Sequence, residues 1–296
     1  MEATHVSVLL NEVIAYLAPK DGGIYVDCNL GLGGHSAAIL EASSPGGKVI
    51  GFDWDAEALE IAQKKLFIYG SRVQLMRRNF ATIQSSLQEL GVGSVDGILL
   101  DLGLSSLQLD GGDRGFSFKG SQALDMRMDD RQEETAAHLV NTASEEELAD
   151  IFFYYGEERQ ARPISAAIIE YRRSQAIATN DQLVKIVEQA VPKRFHPKKI
   201  HPATKVFQGL RIAVNDELQN LSKVLVDGTG LLKINGVFCV ISFHSLEDRM
   251  VKRFFADEPK LKVLTKKPVV PTDEECRLNH RARSAKLRVA VFAGNN

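Results

Sequence analysis

Two rhythms of apolar and polar positions alternate along the first hundred residues. Ile24–Cys28 (IYVDC), Lys48–Asp53 (KVIGFD), Val73–Arg77 and Val95–Leu102 (VDGILLDL) are short apolar runs that read as strands. Between them, Ser36–Ala42, Asp55–Leu66 and Ile83–Leu90 carry helix spacing; in the second, Ala58, Leu59, Ala62 and Leu66 fall on one face. The fourth run is nearly all apolar, as expected of a parallel strand covered on both faces. The order β-α-β-α-β-α-β predicts a doubly wound α/β sheet.

The rhythm then stops. Ser105–Met128 is rich in Gly, Ser and Asp and reads as a loop. Thr135–Tyr171 and Asn180–Val191 predict helices with no strand between them, and Pro192–Pro202, with three prolines, reads as a basic surface connector. An amphipathic helix over Thr204–Val226 restarts the α/β pattern, followed by a strand at Val237–Phe243, a helix near Leu246–Phe255 and a last strand at Leu287–Phe292. The predicted organisation is a Rossmann-like α/β domain built from residues 1–108 and 205–296, interrupted by a helical insertion over 109–204.

Composition narrows the class. A chain of 296 residues with 44% apolar and 25% charged residues forms an ordinary globular core and needs no disulfide or metal staple. Cys28, Cys239 and Cys276 form no C-x-x-C pair, so no metal is expected and a reducing compartment is. The N-terminal stretch lacks the basic and apolar regions of a secretion signal, and no apolar run reaches the roughly 18 residues of a membrane span. A cytoplasmic protein without a membrane partner is the expectation. Net charge is -2, yet Lys193–Lys205 holds five Lys/Arg, two His and no acid, and Arg249–Arg288 holds twelve Lys/Arg against five acids. Two such runs in a slightly acidic chain point to a phosphate-bearing partner, against the plainer reading of two solvated faces.

The first strand-to-helix turn carries the sharpest chemistry. It reads Asp27-Cys28-Asn29-Leu30-Gly31-Leu32-Gly33-Gly34-His35-Ser36. Glycines there let a ligand approach the backbone, although a tight turn without ligand has the same composition. The third glycine of a dinucleotide fingerprint is missing, which counts against a nicotinamide oxidoreductase. Asp27 beside the glycines suits a cationic ammonium better than a phosphate, as in the methionine part of S-adenosylmethionine. Asp53 ends the second strand, where it accepts both ribose hydroxyls or simply caps the next helix. Asp101 ends the fourth strand, ahead of Gly103 and two serines, facing the crevice where such sheets bind ligands. A non-enzymatic RNA-binding module would need none of the three acids in this arrangement.

Longer motifs add a resemblance. The chain resembles the RsmH (MraW) family of bacterial methyltransferases of small-subunit ribosomal RNA nearly end to end. The resemblance is carried by His5–Glu12, Gly31–Ser36, Asp101-Leu102-Gly103 with Gln108-Leu109-Asp110, Arg114–Phe118 and Leu124–Met128. It continues through Tyr155–Arg159, His201–Thr204, Phe207–Arg211, Ile241–Arg249 (ISFHSLEDR) and Arg281–Ser284. It implies a class I methyltransferase sheet, S-adenosyl-L-methionine as cofactor and 16S ribosomal RNA as partner, free or within the small subunit. The implied reaction is N4-methylation of one cytidine in the decoding region, with the insertion recognising RNA. It also implies cofactor contacts from Gly33, Gly34, His35, Asp53, Phe80, Asp101 and Gln108. Asn29 stands where the family commonly has Thr.

A cytosine amino nitrogen is a poor nucleophile, so its methylation asks for positioning and hydrogen-bond acceptors rather than covalent catalysis. Asp101 is the first catalytic candidate. His244, with Ser242, is a second, against the reading of a satisfied loop histidine. Leu-Gly-Leu follows Asp101 in place of the Pro-Pro-aromatic run of many amino-methyltransferases, so an aromatic platform must come from elsewhere. Phe116 and Phe118 are candidates for stacking on a splayed base, against packing of the insertion.

Overall fold

The computed structural model describes residues 7–104, 108, 114–118, 120–198 and 200–294. It divides into two units: residues 1–105 with 219–296, and residues 106–218.

The first unit is the α/β domain. α1 (Leu10–Leu17) precedes β1 (Ile24–Asp27), α2 (Gly34–Ala42), β2 (Lys48–Asp53), α3 (Ala56–Leu66), β3 (Val73–Arg77), α4 (Ile83–Glu89) and β4 (Val95–Asp101). The strands form a seven-stranded sheet in the order β3-β2-β1-β4-β5-β7-β6. There β5 is Leu232–Ser242, β6 is Leu261–Val263 and β7 is Lys286–Phe292. The first five strands in that order run parallel, and β7 is antiparallel to both its neighbours. This is the doubly wound Rossmann-like sheet that the sequence predicts, with the order reversing between β1 and β4.

Both faces of the sheet are apolar. Val26, Ile50, Ile98, Leu100, Phe238 and Val240 pack with Leu87, Leu221, Val224, Val251 and Phe255 on one side. Tyr25, Val49, Leu99, Cys239 and Ile241 pack with Val13, Leu17, Ile39, Leu40 and Leu66 on the other. Successive strand residues point to opposite faces, so a strand covered by helices on both sides shows an unbroken apolar run. The sequence overlooks β6 and the short helix α12 (Asp273–Leu278), which carry too few periodic positions to signal themselves.

The second unit is helical. It holds α5 (Ala136–Thr142), α6 (Glu145–Asp150), a π-helical turn at Ile151–Tyr155, α7 (Ala161–Arg172), α8 (Asn180–Ala190) and α9 (Thr204–Val214). The predicted helix over 204–226 is two helices, α9 and α10 (Glu217–Leu231), broken at Asn215 and Asp216, the latter at φ 50°. The break has a cause. Asn215 is fully buried; its Nδ2 donates to the Met126 carbonyl and its Oδ1 accepts the Met128 N–H, both at 2.8 Å. Gln208 of α9 likewise donates to the Tyr155 carbonyl at 2.9 Å. These contacts place α9 in the helical unit, whereas the sequence assigns residues from 205 onward to the α/β domain. Among the described residues, no helix is long and apolar enough to cross a membrane.

Candidate functional site

The site is built at the carboxyl ends of β1, β2 and β4. β1 delivers Asp27 into the glycine turn. Asp27 is 1% exposed; Ser36 Oγ donates to it at 2.7 Å and the Asn29 N–H at 3.4 Å. Its carboxylate therefore anchors the turn, and burial holds its pKa above the usual carboxylate value, with His35 opposing. The sequence offers Asp27 to a cationic ligand; the structure places the charge behind the turn, spent on Ser36 and Asn29.

Gly33 caps α2 in the left-handed region, at φ 72°. Gly34 has a different reason. A Cβ there would lie 2.0 Å from Ser7 Oγ, so the segment before α1 packs directly on the start of α2. That segment adopts a left-handed turn at Leu9, whose N–H donates to Glu275 Oε1 at 2.7 Å.

β2 ends at Asp53. Its Oδ2 accepts the Gly31 N–H at 2.8 Å, which ties the glycine turn to β2, and its Oδ1 accepts the Asp55 N–H at 3.0 Å. The helix-capping alternative belongs to Asp55, which accepts the Glu57 and Ala58 N–H groups. Burial pushes Asp53 from 3.8 up to about 7. Each of its oxygens keeps a second lone pair for a further donor. Trp54 follows, and its ring lies 6.2 Å from that of Phe80, forming an apolar patch beside the acid. Asn79 places Phe80 by accepting the Ala81 N–H.

β4 delivers Asp101. His35 Nε2 stands 3.5 Å from Asp101 Oδ2, linking α2 to β4. Among the described residues, Asp101 Oδ1, both His35 ring nitrogens and Asn29 Oδ1 are buried without a well-formed hydrogen bond, the Asp101 carboxylate and the Val8 backbone being the groups placed nearest the His35 ring. Burial depresses the His35 pKa, but Asp101, Asp27 and the Val8 backbone outweigh it, and the net direction is up. Four orphaned polar atoms in one turn-and-strand-end are costly, at about 1–3 kcal/mol for each unsatisfied group. Such a deficit suits a site completed by a ligand.

The structure thus brings Gly33, Gly34, His35, Asp53, Phe80 and Asp101 into one connected cluster. Gln108 belongs to the second unit; it is buried and has partners. Leu109 and Asp110 lie outside the described residues. The sequence misses Phe243. Gly103 has φ 108°, and a Cβ on it would lie 3.2 Å from the Phe243 ring, so an aromatic face lies against the loop after β4. Only β5, arriving more than a hundred residues later in the chain, reveals this; the signal is the Phe inside ISFHS.

His244 caps α11 (Ser245–Asp257). Its Nδ1 accepts the Glu247 N–H at 3.4 Å, its Nε2 lies 3.1 Å from the Glu247 carboxylate, and Glu247 Oε2 accepts the Phe243 and His244 N–H groups. Nε2 itself is buried without a hydrogen-bond partner among the described residues, so the cap accounts for one ring nitrogen and leaves the other open. Ser242 is buried and donates to the Lys286 carbonyl at 3.4 Å.

Phe116 is buried with the Arg114 guanidinium 5.7 Å above its ring, and Phe118 stacks on His201 at 4.9 Å with its edge to Phe207. Both rings are engaged inside the helical unit. Lys198 is exposed, and Lys199 lies outside the described residues. In the C-terminal run, Lys286 and Arg288 are taken up by Asp248 at 3.1 and 2.6 Å, while Lys252, Arg253, Lys260, Lys262, Lys266, Lys267, Arg277 and Arg283 are exposed.

Residues 2–293 match the profile of the MraW methylase family. The chain belongs to that family. It is 57% identical to the ribosomal RNA small subunit methyltransferase H of Desulfotalea psychrophila over 289 residues, covering 98% of each chain. It is 52% identical to the enzyme of the same name from Geotalea daltonii, covering 96% of this chain and 97% of that one. The Cyanothece protein of that name is also 52% identical, with 98% and 95% covered.

Proposed function

We propose that the chain methylates the N4 amino group of one cytidine in the decoding region of 16S ribosomal RNA, with S-adenosyl-L-methionine as methyl donor. Kinship with small-subunit ribosomal RNA methyltransferases supports the reaction class and the RNA. The observation that carries the finer reading is Asp101 Oδ1, a buried carboxylate oxygen without a partner at the end of β4.

The residues present fit the cofactor. Gly31 has no heavy atom within 4 Å of where a Cβ would stand, leaving room beside the Asp53 carboxylate. Asp53 has acceptor capacity for two ribose hydroxyls, and the Trp54–Phe80 patch supplies an apolar wall for a base. Gly33, Gly34, His35 and Asn29 would hold the remainder from the turn. When bound, the cofactor supplies a methyl group on a sulfonium, whose methyl–sulfur bond breaks with the electron pair left on sulfur.

Asp101 does the chain's own chemistry. By accepting an N–H of the target amine it draws the nitrogen lone pair out of conjugation and lines it up for attack. Phe243, against Gly103, is the aromatic surface that Leu-Gly-Leu does not provide. His244 caps α11 next to Phe243, whose N–H is held by Glu247. The exposed basic residues of the C-terminal run and Lys198 hold RNA phosphates.

The test is mass-spectrometric mapping of methylated nucleosides in 16S ribosomal RNA from a strain lacking the protein, complemented with wild type or Asp101→Asn. Loss of one N4-methylcytidine, restored by wild type alone, is expected. An unchanged nucleoside map removes the proposal.

A further inference from the structure

His35 is 4% exposed, and its ring nitrogens make no well-formed hydrogen bond among the described residues; the Asp101 carboxylate and the Val8 backbone are the groups placed to accept from it. A cofactor contact made by the backbone of His35 gives no reason for this side chain. An alanine or leucine would fill the same space without the cost of burying two polar atoms. The ring faces charge from two strands: Asp101 at the end of β4, with Oδ2 3.5 Å from Nε2, and Asp27 at the end of β1. The Val8 backbone acts on it from the segment before α1.

We propose that His35 is a positioning residue for methyl transfer: its Nε2–H donates to Asp101 Oδ2, turning the carboxylate so that Oδ1 is free for the target amine. The inference rests on the reading of Asp101 given above. The 3.5 Å separation is the looser form of this contact, and catalytic hydrogen bonds commonly tighten when a site fills.

The geometry divides the work of the carboxylate between its oxygens. Oδ2 is engaged by the imidazole; Oδ1, buried and unpartnered, is the atom left to accept. Two buried acids flanking one histidine favour the imidazolium, which carries N–H on both nitrogens and has no acceptor to compete with the substrate. A charged donor on Oδ2 makes the stronger hydrogen bond, which holds the carboxylate in the orientation that presents Oδ1 to the amine. When the amine nitrogen has bonded to the methyl carbon it carries one proton too many. That N–H bond breaks toward Asp101 Oδ1, and the resulting carboxylic acid yields the proton to water after product leaves. His35 holds its own protons throughout.

The test needs a readout that a packing role would not move. The His35 ring nitrogens are titrated by NMR in the cofactor-free protein, wild type and Asp101→Asn. The midpoint is expected to fall when the Asp101 charge is removed; an unmoved midpoint overturns the pairing. The pH profile of single-turnover methyl transfer at saturating cofactor is then compared for wild type, His35→Gln and His35→Ala. Where the wild-type rate falls as pH climbs through the His35 midpoint read by NMR, both variants should lack that limb. Glutamine, which keeps a donor, recovers part of the rate that alanine loses, a loss of about 10–100-fold. A wild-type rate and limb at saturating cofactor would reduce His35 to cofactor binding alone. The NMR result does not depend on which base is methylated. Failure of the N4-cytidine reading in the nucleoside map is therefore distinguishable from failure of the His35 pairing.

Discussion

Two polar motifs sit at the carboxyl edge of the same sheet and use their hydrogen bonds differently. Residues 27–36, with Asp101, leave Asn29 Oδ1, both His35 nitrogens and Asp101 Oδ1 without a well-formed hydrogen bond inside the protein. In residues 241–249, Glu247 takes two backbone N–H groups, His244 caps a helix, and Asp248 clamps Lys286 and Arg288 of β7. Sequence motifs alone rank both as functional. Counting unsatisfied atoms among the described residues separates them by degree: the first region leaves a cluster that a ligand can complete, whereas the second leaves His244 Nε2 and otherwise forms a joint that fastens α11 and β7 to β5.

That contrast breaks most sharply at Asp248. Arg288 is buried, and Asp248→Ala leaves its guanidinium without the carboxylate, an expected loss of about 3–5 kcal/mol in chemical denaturation. Burial raises the Asp248 pKa, but Arg288 and Lys286 outweigh it and hold it low, so this contribution stands above the unfolded carboxylate value and is lost as pH falls through the folded one. A variant as stable as wild type would end its role as a joint.

In the unfinished region the largest effect is on rate. Asp101→Asn keeps shape but loses the charge, and single-turnover methyl transfer is expected to slow by about 100-fold or more while thermal melting is unchanged. Wild-type turnover would transfer the acceptor role elsewhere.

Asp53 comes next. Asp53→Ala is expected to weaken S-adenosylhomocysteine binding by about 1.5–3 kcal/mol in calorimetry. The pH dependence has a definite sign. Raised from 3.8 to about 7, Asp53 favours the folded state below its unfolded value, and that advantage is lost as pH climbs through about 7. Ribose hydroxyls need the ionised acceptor, so cofactor affinity rises through the same upper window. Asp53→Asn should flatten that rise; a parallel rise in the variant assigns it to another group.

The smallest effect belongs to the surface. Lys198→Ala is expected to reduce the slope of log affinity for RNA against log salt by about 0.7–0.9, the value of one phosphate contact. Parallel lines with equal intercepts would leave Lys198 as a solvated lysine.

Much of this was legible in the chain. The sheet came from apolar runs, and Asp53, Asp101 and the glycines from their place at strand ends. What stayed hidden depends on contacts between distant segments. Asp27 is an open carboxylate in sequence, but Ser36 closes it in three dimensions. Gly34 reads in sequence as space for a ligand, but the space on its Cβ side is filled by Ser7, which leaves its backbone as the group a ligand could meet. The break at Asn215 is set by the carbonyl of Met126 and the N–H of Met128, nearly ninety residues away, which no helical periodicity records. Phe243 meets Gly103 only because β5 pairs with β4.

That pairing also governs how the chain is made. β4 and β5 are neighbours in the sheet, yet about 130 residues separate the end of one from the start of the other. At about 5–20 residues per second, a ribosome takes roughly 7–26 s to deliver β5 after β4 is complete. For that interval the nascent sheet ends in Ile98-Leu99-Leu100, a bare apolar edge of the kind that recruits other strands. The thermodynamic cost of the long closure is modest, since each doubling of a loop adds only about 0.6 kcal/mol. The greater burden is the waiting time: temperature shifts that slow translation should harm the yield of this protein more than its stability once folded.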